Sequence, residues 1–471
     1  MRSILGTVVT RALLVTLALL AVATGTRAQP RAYVFATDFT TGSFSGVDRS
    51  SRAPFCDVAS AHSDARLRWF QGQVFIVNRF GADNITVLDG SSFGFIRQFS
   101  VGNGSNPYDI AVRSPTKAYV TRYESTELWI VNPSTGLQTG AVSLAAYADG
   151  DGIPEMDRMQ MVGPLLFVSL QRVNRNAGFQ PTDSSLVVVL DMRTDQLVDC
   201  DAVRPGVQGI LLPATNPVTP FVLDVPRSRL YLGCVGVYGV NDGGIVAIDA
   251  AALTAVGVLA PEASMGGDVL DLVWGGESKA YAIVSDAGFN TSLVHWSPAS
   301  HGADNTVYAP GGFSLSDAEI TPEGGQVWVC NSSFGAPGIR TFSTTTDTEV
   351  GLPIVCTLPP QGIAFDAATN LEVPLHTPAG RVALAAPSPN PARGTVRFGF
   401  TLARAGDASV EVLDVTGRRV QAWTLPAATA GAHEIAWDAR DGSGAAVAAG
   451  LYRVRVRVGD ESVSRSVVLV R

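Results

Sequence analysis

The chain has 471 residues, with 48 glycines, 27 prolines and a formal net charge of −8 at pH 7. This length exceeds that of one ordinary domain, and short runs rich in Val, Ile, Tyr and Phe between turn residues predict an all-β protein. The chain has two lysines, Lys117 and Lys279, and its arginines form no basic run. Because a nucleic-acid-binding surface needs clustered positive charge, we expect no nucleic-acid partner.

Residues 1–28 have the pattern of a signal peptide. Arg2 and Arg11 supply positive charge, an apolar run follows at 12–23, and Ala28 provides a small residue before the predicted cleavage point at Gln29. An apolar run of about twelve residues is short of the roughly 20 that a spanning helix needs. We therefore predict an exported protein without a transmembrane segment after cleavage, extracellular or at the outer cell surface, with the periplasm as the alternative.

The aromatic residue of one short strand pattern recurs along residues 31–373. The segments AYVTRYESTELWIVN and VFIVNRFGADNITVLD show the pattern, and successive aromatic residues are 42 to 64 positions apart. They are Tyr33, Phe75, Tyr119, Phe167, Tyr231, Tyr281 and Trp328. A period of about 40–50 residues with four short strands per unit is typical of a β-propeller, and we expect these aromatic residues to form the core between blades.

A second short strand precedes most of these aromatic strands and contains an acidic residue. The acidic residues are Asp64, Asp109, Asp157, Asp271 and Asp317. The first aromatic strand lacks such a partner, and residues 361–370 supply one at the far end of the repeat. Pairing of the last strand with the first blade would close the ring and remove the exposed sheet edge.

With its AYVT and VFIVN cores, this repeat resembles the YVTN family of seven-bladed propellers, the YncE-like group. The resemblance implies a seven-bladed β-propeller over residues 29–373. It does not imply one activity, because propellers of this kind include binding proteins, lactonases and electron-transfer enzymes.

A different pattern begins after residue 373. A Pro/Ala-rich linker at 374–394 leads into alternating strands that predict a small immunoglobulin-like β-sandwich at 395–471. The segments PNPARGTVRF, VLDVTGRRV and GLYRVRVRV resemble the FlgD-type immunoglobulin-like domain of flagellar hook-assembly proteins, and equally the C-terminal sorting domains of the type IX secretion system. Such a tail implies the secretion machinery as a partner. We interpret Asp438, Asp441 and Gly442 as turn residues rather than a metal site.

The spacing of the cysteines does not predict a set of disulfide bonds. The five cysteines, at positions 56, 200, 234, 330 and 356, leave at least one unpaired. Because the chain is long enough to fold without cross-links, buried thiols are the preferred interpretation. The sequence has neither a CxxC motif nor a Cys/His cluster, so we expect no zinc or haem site.

Propeller geometry sorts the loops onto two faces. Turns between the first and second and between the third and fourth strands of each blade are short, and they define the plain face. The other connections hold the long insertions, at 146–156, 172–183, 201–220, 235–244 and 261–268, and define the elaborated face. Because binding sites concentrate in long loops on rigid scaffolds, we expect a small molecule, glycan or peptide to bind the elaborated face.

Four polar residues follow second strands in consecutive blades: Arg79, Arg122, Gln171 and Arg172. One interpretation is a ligand-binding rim that grips a carboxylate, a sugar acid or a peptide, since arginine forks suit planar oxyanions. The alternative, which we prefer, is that each arginine pairs with a neighbouring loop acid such as Glu124 or Asp83.

The segment DGDGIPEMD is the most metal-like stretch of the chain. It places Asp149, Asp151, Glu155 and Asp157 at short spacings around glycines, and calcium prefers such oxygen ligands. The ordered ligand set of a full EF-hand loop is absent from the sequence. An acidic turn held by its own Asp side chains is therefore the preferred interpretation, and a calcium site is the alternative.

The sequence offers little support for catalysis. It contains no GxSxG elbow joining a strand to a helix, and no HExxH or P-loop motif. The leading hypothesis is a non-enzymatic propeller, displayed at or released from the cell surface, that binds a ligand or partner. The alternatives are a propeller-type lactonase or hydrolase and a structural component of the cell envelope.

Overall fold

The computed structural model describes residues 30–201, 203–366, 382–384, 387–402, 406–414, 417–429, 431–458 and 461–470. The predicted signal peptide and part of the predicted linker lie outside these residues. Strands dominate the described chain, which confirms the predicted all-β fold class of a seven-bladed β-propeller followed by a small β-sandwich. Within the described residues, we find no helix with the length and apolar character needed to cross a membrane.

Short strands with buried aliphatic and aromatic residues build the propeller. In chain order they are β1 Arg31–Thr37, β2 Gly42–Asp48, β3 Pro54–Ala61, β4 Ala65–Phe70, β5 Gln73–Asn78, β6 Asn84–Asp89, β7 Phe95–Ser100, β8 Pro107–Ser114, β9 Lys117–Arg122, β10 Glu127–Asn132, β11 Leu137–Ser143, β12 Met156–Val162, β13 Leu165–Leu170 and β14 Leu186–Asp191. They continue as β15 Gln196–Val198, β16 Ile210–Leu211, β17 Val222–Asp224, β18 Arg229–Cys234, β19 Gly244–Asp249, β20 Thr254–Pro261, β21 Asp268–Trp274, β22 Ala280–Ser285, β23 Thr291–Ser297, β24 Gly302–Tyr308, β25 Leu315–Ile320, β26 Gln326–Asn331, β27 Gly338–Ser343 and β28 Pro360–Phe365. Short helical turns lie at Ala145–Tyr147, Arg175–Ala177, Val225–Arg227 and α1 Glu262–Met265.

Each blade is an antiparallel sheet of consecutive strands, and blade 1 closes the ring. Its order is β28–β1–β2–β3, so the last propeller strand pairs with the first, as the sequence predicted. Blades 2 to 6 begin with β4, β8, β12, β17 and β21 as their inner strands. Blade 7 is β25–β26–β27, and bridges from Ile339 to Ile354 and from Phe342 to Glu349 replace a regular fourth strand.

A disulfide between Cys56 and Cys356 joins the outer strand of blade 1 to the segment that follows β27. The expectation of buried thiols is therefore wrong for this pair. The outer edges of blades 1 and 7 lie next to each other where the ring closes. The two cysteines are 300 positions apart, so the sequence alone does not show that they are close in space. Cys234 and Cys330 are buried free thiols, and Cys200 is a partly buried one.

The seven repeated aromatic residues are all buried between blades, at 3 % exposure or less, as predicted. Several of the tyrosines also bond across to the next blade. The Tyr33 hydroxyl donates to the Gly90 carbonyl at 3.1 Å, and the Tyr281 hydroxyl donates to Asp347 at 2.7 Å. Each such residue therefore fills the space between two sheets and satisfies its polar atom on the far side.

The second domain is a two-layer sandwich. Its strands are β29 Val382–Leu384, β30 Val396–Leu402, β31 Gly406–Leu413, β32 Arg419–Ala428, β33 Gly431–Trp437, β34 Gly450–Val458 and β35 Glu461–Leu469. Sheets β29–β30–β33 and β32–β31–β34–β35 enclose a core that includes Phe398 and Trp437. Asp441 accepts the backbone N–H groups of Ser443 and Ala445, which supports its interpretation as a turn residue.

Candidate functional site

The mouth of the central channel is a cavity of about 540 Å³. Its lining comes from β1, β4, β12, β25 and β28, and from the loops that follow β1, β3 and β5. These loops lie on the elaborated face of the ring. The volume lies within the range of small-molecule sites, which is roughly 300–1,000 Å³.

Four arginines form one side of this cavity: Arg66 and Arg68 on β4, Arg79 after β5, and Arg158 on β12. We call them the cationic wall. Arg66 Nη1 lies 2.8 Å from Asp157, and Arg68 makes a two-pronged ion pair with Asp109 at 2.7 and 3.0 Å. Burial, followed by the charge of Arg66, lowers the pKa of Arg158 to about 10. These guanidinium groups therefore stand in a desolvated setting in which an added anion would be attracted strongly.

Arg79 belongs to the same wall through an aromatic stack. Its guanidinium carbon lies 3.8 Å from the centre of the Tyr108 ring, and Tyr108 stacks on Tyr123 with ring centres 4.3 Å apart. Arg79 also pairs with Asp64 at 3.3 Å. The structure therefore places Arg79, one of the four predicted rim residues, in the lining of the cavity, where it pairs with the nearby acid Asp64.

Two acidic groups of blade 7 line the same cavity, and we call them the acidic wall: Asp317 and Glu319. Burial raises the pKa of Asp317 to about 6 despite a hydrogen bond from the Ile363 N–H. Burial and the nearby Asp317 charge raise the pKa of Glu319 to about 8. At neutral pH Glu319 is mostly protonated, so it can donate a hydrogen bond to a ligand.

The acids of the inner strands have a structural role that the sequence did not reveal. Asp109, Asp271 and Asp317 each accept a backbone N–H from the next inner strand, donated by Met159, Ala318 and Ile363 at 3.0, 2.8 and 2.6 Å. Each acid lies at a register shift in its own strand, where a bulge can turn its side chain toward the neighbouring blade. These acids staple consecutive blades together around the channel.

Three members of the predicted ligand-binding rim are engaged within the fold. Arg122 donates to the Val101 carbonyl at 2.9 Å and stacks on Trp129 at 4.1 Å, with Glu127 3.7 Å away. Gln171 is buried between the Tyr123 hydroxyl and Asp157. Arg172 pairs with Asp183 in its own loop. The lining of the channel-mouth cavity includes Arg79 and none of these three, so the four residues do not form one rim.

The predicted metal-ligand set separates into two places. Asp149, Asp151 and Glu155 bring ligand oxygens within 4.8 Å of one another in the connection between blades 3 and 4. Asp157 lies instead in the channel wall, where Arg66 and Gln171 donate to its carboxylate. Asp157 lies on β12, an inner strand that lines the channel. The structure therefore places it apart from the other three predicted metal ligands.

A ring of aromatic residues surrounds the channel mouth, and sequence reasoning missed it. In six of the seven blades the loop between the second and third strands carries an aromatic side chain with at least half of its surface exposed, from 51 % for Phe289 to full exposure for Phe334. The set, which we call the aromatic crown, is Phe39, Phe80, Phe179, Tyr238, Phe289 and Phe334. Five of the six residues follow a repeated strand by two to four positions, and Phe179 lies in the longer loop at 172–183, so the signal is present in the sequence.

Residues 388–462 match the family model described as the FlgD Ig-like domain. This match covers the second domain and agrees with the predicted resemblance. No curated protein matches the chain in sequence.

One solved structure with a TM-score above 0.5 supports the fold, and two others are similar at lower scores. A protein from Bacteroides fragilis, described as a candidate 6-phosphogluconolactonase, shares 12 % identity over 73 % of this chain and 99 % of its own, with a TM-score of 0.52. A functionally unknown protein from Desulfotomaculum acetoxidans shares 11 % identity over 72 % and 99 %, with a TM-score of 0.48. AztD from Citrobacter koseri shares 12 % identity over 86 % and 98 %, with a TM-score of 0.41. At such identities the likeness concerns the fold alone.

Proposed function

We propose that this protein is an exported binding module whose elaborated face holds an acidic glycan, with a sugar carboxylate at the channel mouth. The observation that carries the proposal is the 540 Å³ cavity, which the cationic and acidic walls line together and which Phe39 and Phe80 of the aromatic crown also line. The proposal keeps the binding hypothesis from the sequence and moves its centre from the predicted rim to the channel.

The two walls suit a ligand that carries both a carboxylate and hydroxyl groups. Arg68 keeps 32 % of its side-chain surface exposed while it pairs with Asp109, so part of its guanidinium can reach a ligand oxygen. On the acidic wall, Glu319 can donate to or accept from a hydroxyl group. A hydroxyl-rich sugar acid can satisfy both sides of so polar a cavity, whereas an apolar side chain would leave buried polar groups unpaired.

The aromatic crown adds a surface for the rest of the ligand. Phe39 and Phe80 flank the cavity and are 78 % and 71 % exposed. Exposed aromatic residues gathered on one face mark an interaction surface, and an aromatic ring stacks well against the C–H face of a sugar. A glycan chain can therefore extend from the channel across the crown.

Glycan arrays and titration calorimetry with oligogalacturonate would test this proposal. We expect binding to the mature protein, weakened about tenfold, or about 1.4 kcal/mol, by the double change Phe39→Ala and Phe80→Ala. Phe95→Ala is the matched control, because Phe95 is 68 % exposed on the outer strand of the same blade as Phe80. Arg158→Gln should reduce the preference for acidic over neutral glycans.

Two results would contradict the glycan proposal. One is equal affinity for acidic and neutral oligosaccharides, which would leave the cationic wall without a role. The other is glycan binding that the crown variants leave unchanged. Selective binding of peptides with a free carboxylate, without binding of glycans, would show that the ligand is a peptide and not a glycan.

A second candidate function, hydrolysis of a lactone or ester, is favoured by the acidic wall. Asp317 and Glu319 share one cavity, with pKa values of about 6 and about 8. Carboxyl groups with separated pKa values can divide the roles of general base and general acid, and the cationic wall could stabilise an oxyanion. A lactone and ester panel should then show turnover that Glu319→Gln lowers at least 100-fold. The absence of turnover on the whole panel would remove this candidate.

We also propose that the C-terminal domain engages a type IX-like secretion system and that the propeller belongs with the YncE-like group. The support is the predicted signal peptide, the FlgD-like domain match and the YVTN-like repeat. In the source bacterium, protease should then remove the propeller from intact cells that make the full chain. Equal protease access after deletion of residues 387–471 would contradict a sorting role for the domain.

A further inference from the structure

We propose that Asp149, Asp151 and Glu155 bind a calcium ion in the connection between blades 3 and 4. This site is separate from the channel mouth and does not depend on the proposed glycan. Its three side chains come from a loop that runs from the helical turn at Ala145–Tyr147 to the start of β12. Their ligand oxygens lie within 4.8 Å of one another, close enough to surround a single cation.

Three of the six carboxylate oxygens of the cluster are buried without a hydrogen-bond partner among the described residues. Glu155 is 1 % exposed, and both of its side-chain oxygens are buried without a hydrogen-bond partner among the described residues. Asp149 Oδ2 is in the same condition. Burying a carboxylate without donors costs free energy. A bound cation would remove this cost by interacting with the unpaired oxygens.

The hydrogen bonds that shape the loop use other carboxylate oxygens, so Asp149 Oδ2 and the two Glu155 oxygens stay available to a cation. Asp149 Oδ1 accepts the Asp151 N–H at 3.0 Å, and Asp151 Oδ1 accepts the Ile153 N–H at 3.0 Å. Those bonds shape the turn, as the sequence interpretation of an acidic turn expected. They do not involve Glu155, whose side chain reaches the cluster from the end of the loop.

One arginine approaches the cluster and does not neutralise it. Arg175 Nε lies 3.1 Å from Asp151, and its Nη2 lies 2.7 Å from Glu124 and 3.8 Å from Glu155. A single positive charge therefore faces four carboxylates. The neighbouring Arg172 is paired with Asp183. The negative charge that remains suits a divalent cation.

The ligand chemistry favours calcium. All three side chains offer oxygen, and the cluster contains neither His nor Cys, which softer metals such as zinc prefer. Calcium accepts six to eight oxygens in flexible geometry, so backbone carbonyls of this glycine-containing loop and water can complete its shell. Magnesium demands a near-ideal octahedron at shorter distances, which three carboxylates on one turn meet less readily.

Calcium would connect two parts of the elaborated face. Arg175 belongs to the long loop between β13 and β14, and the Arg175 N–H and Nε both donate to Asp151 Oδ2. Glu155 directly precedes β12, and its carbonyl accepts the Gln171 N–H at the base of the same loop. A cation at the cluster would therefore hold the blade 3–4 connection and the 171–185 loop together.

Calcium titration of the EDTA-treated full chain tests the inference. We expect calorimetric binding with a Kd of roughly 10⁻⁵ to 10⁻³ M and a rise in Tm with calcium concentration. Glu155→Gln should weaken calcium binding at least tenfold. In EDTA its Tm should equal or exceed that of the wild type, because the change removes a buried charge and keeps the shape. This comparison separates a lost metal site from a misfolded variant.

Asp286→Asn is the matched control, since Asp286 shapes an acidic turn on the same face in blade 6. Its calcium response should equal that of the wild type. The inference is overturned if calcium at 10 mM leaves the wild-type Tm at its EDTA value, or if Glu155→Gln responds to calcium as the wild type does. A Tm response to magnesium without one to calcium would also overturn it. Because no glycan is present, these results are independent of the proposed function.

Discussion

Two groups of acidic residues in this propeller share their chemistry and differ in their partners. The channel acids Asp109, Asp271 and Asp317 each accept a backbone N–H from the next blade. In the loop cluster, Glu155 and Asp149 keep buried oxygens without a hydrogen-bond partner among the described residues. Because a buried carboxylate needs donors, a cation or a proton, the first group is explained by its bonds within the fold and the second is not.

The same comparison holds within the channel. Asp109 has three partners, the Arg68 guanidinium and the N–H groups of Met159 and Ile110, and is committed to structure. Glu319 lies on a bulge-containing strand of blade 7 and keeps a raised pKa, which marks a group that the fold does not stabilise as an anion. Glu319 is therefore a stronger functional candidate than Asp109, because the fold gives its anionic form less support.

Removal of a channel acid should give the largest effect. Asp109→Ala leaves the Met159 N–H and the Arg68 guanidinium without their acceptor in the channel wall. Loss of one partner of a buried ion pair costs about 3 kcal/mol, so we expect the free energy of unfolding to fall by about that amount. Urea denaturation followed by tryptophan fluorescence measures the change. The exposed turn acid Asp286, changed to Ala, should cost less than about 1 kcal/mol, and an equal loss from both variants would refute the staple.

A smaller, pH-dependent effect should distinguish Glu319. Its carboxyl has a pKa near 4.5 when unfolded and about 8 in the fold. Between these values the unfolded chain releases a proton that the folded chain retains, so wild-type stability falls as pH rises from about 5 to 8. Glu319→Gln removes this loss.

The stability of Glu319→Gln relative to the wild type should therefore increase over that pH range by on the order of 2 kcal/mol, less than the full pKa shift implies because the group is partly exposed. Urea denaturation at pH 5, 6.5 and 8 gives the difference. The control is the exposed Glu277→Gln. A constant difference between Glu319→Gln and wild type across the three pH values would show that Glu319 is ionised in the fold.

The sequence predicted the repeat and its core far better than the site. Tyr119 and its counterparts were found because hydrophobic burial at a fixed position in each blade produces a periodic signal. The staple acids were found as a pattern, but their bonds depend on bulges such as that between Pro107 and Asp109, which shift register without a clear mark in sequence. The Cys56–Cys356 disulfide and the cationic wall unite residues that are far apart in sequence, so the arrangement of the blades around the ring decides them.

The loop cluster should give the smallest effect and one of opposite sign. Asp149→Asn keeps the oxygen that accepts the Asp151 N–H and removes a negative charge close to Asp151. Burial, more than any other cause, raises the pKa of Asp149 in the wild type. In EDTA we therefore expect stabilisation of about 0.5 kcal/mol, since one of several crowded like charges is lost. In calcium the order should reverse, because the wild type gains binding energy that the variant lacks. Thermal unfolding of both proteins in both buffers measures this reversal in the order of stability.

Destabilisation of Asp149→Asn in EDTA would mean that the charge is already satisfied by the protein, and the contrast between channel and loop acids would disappear.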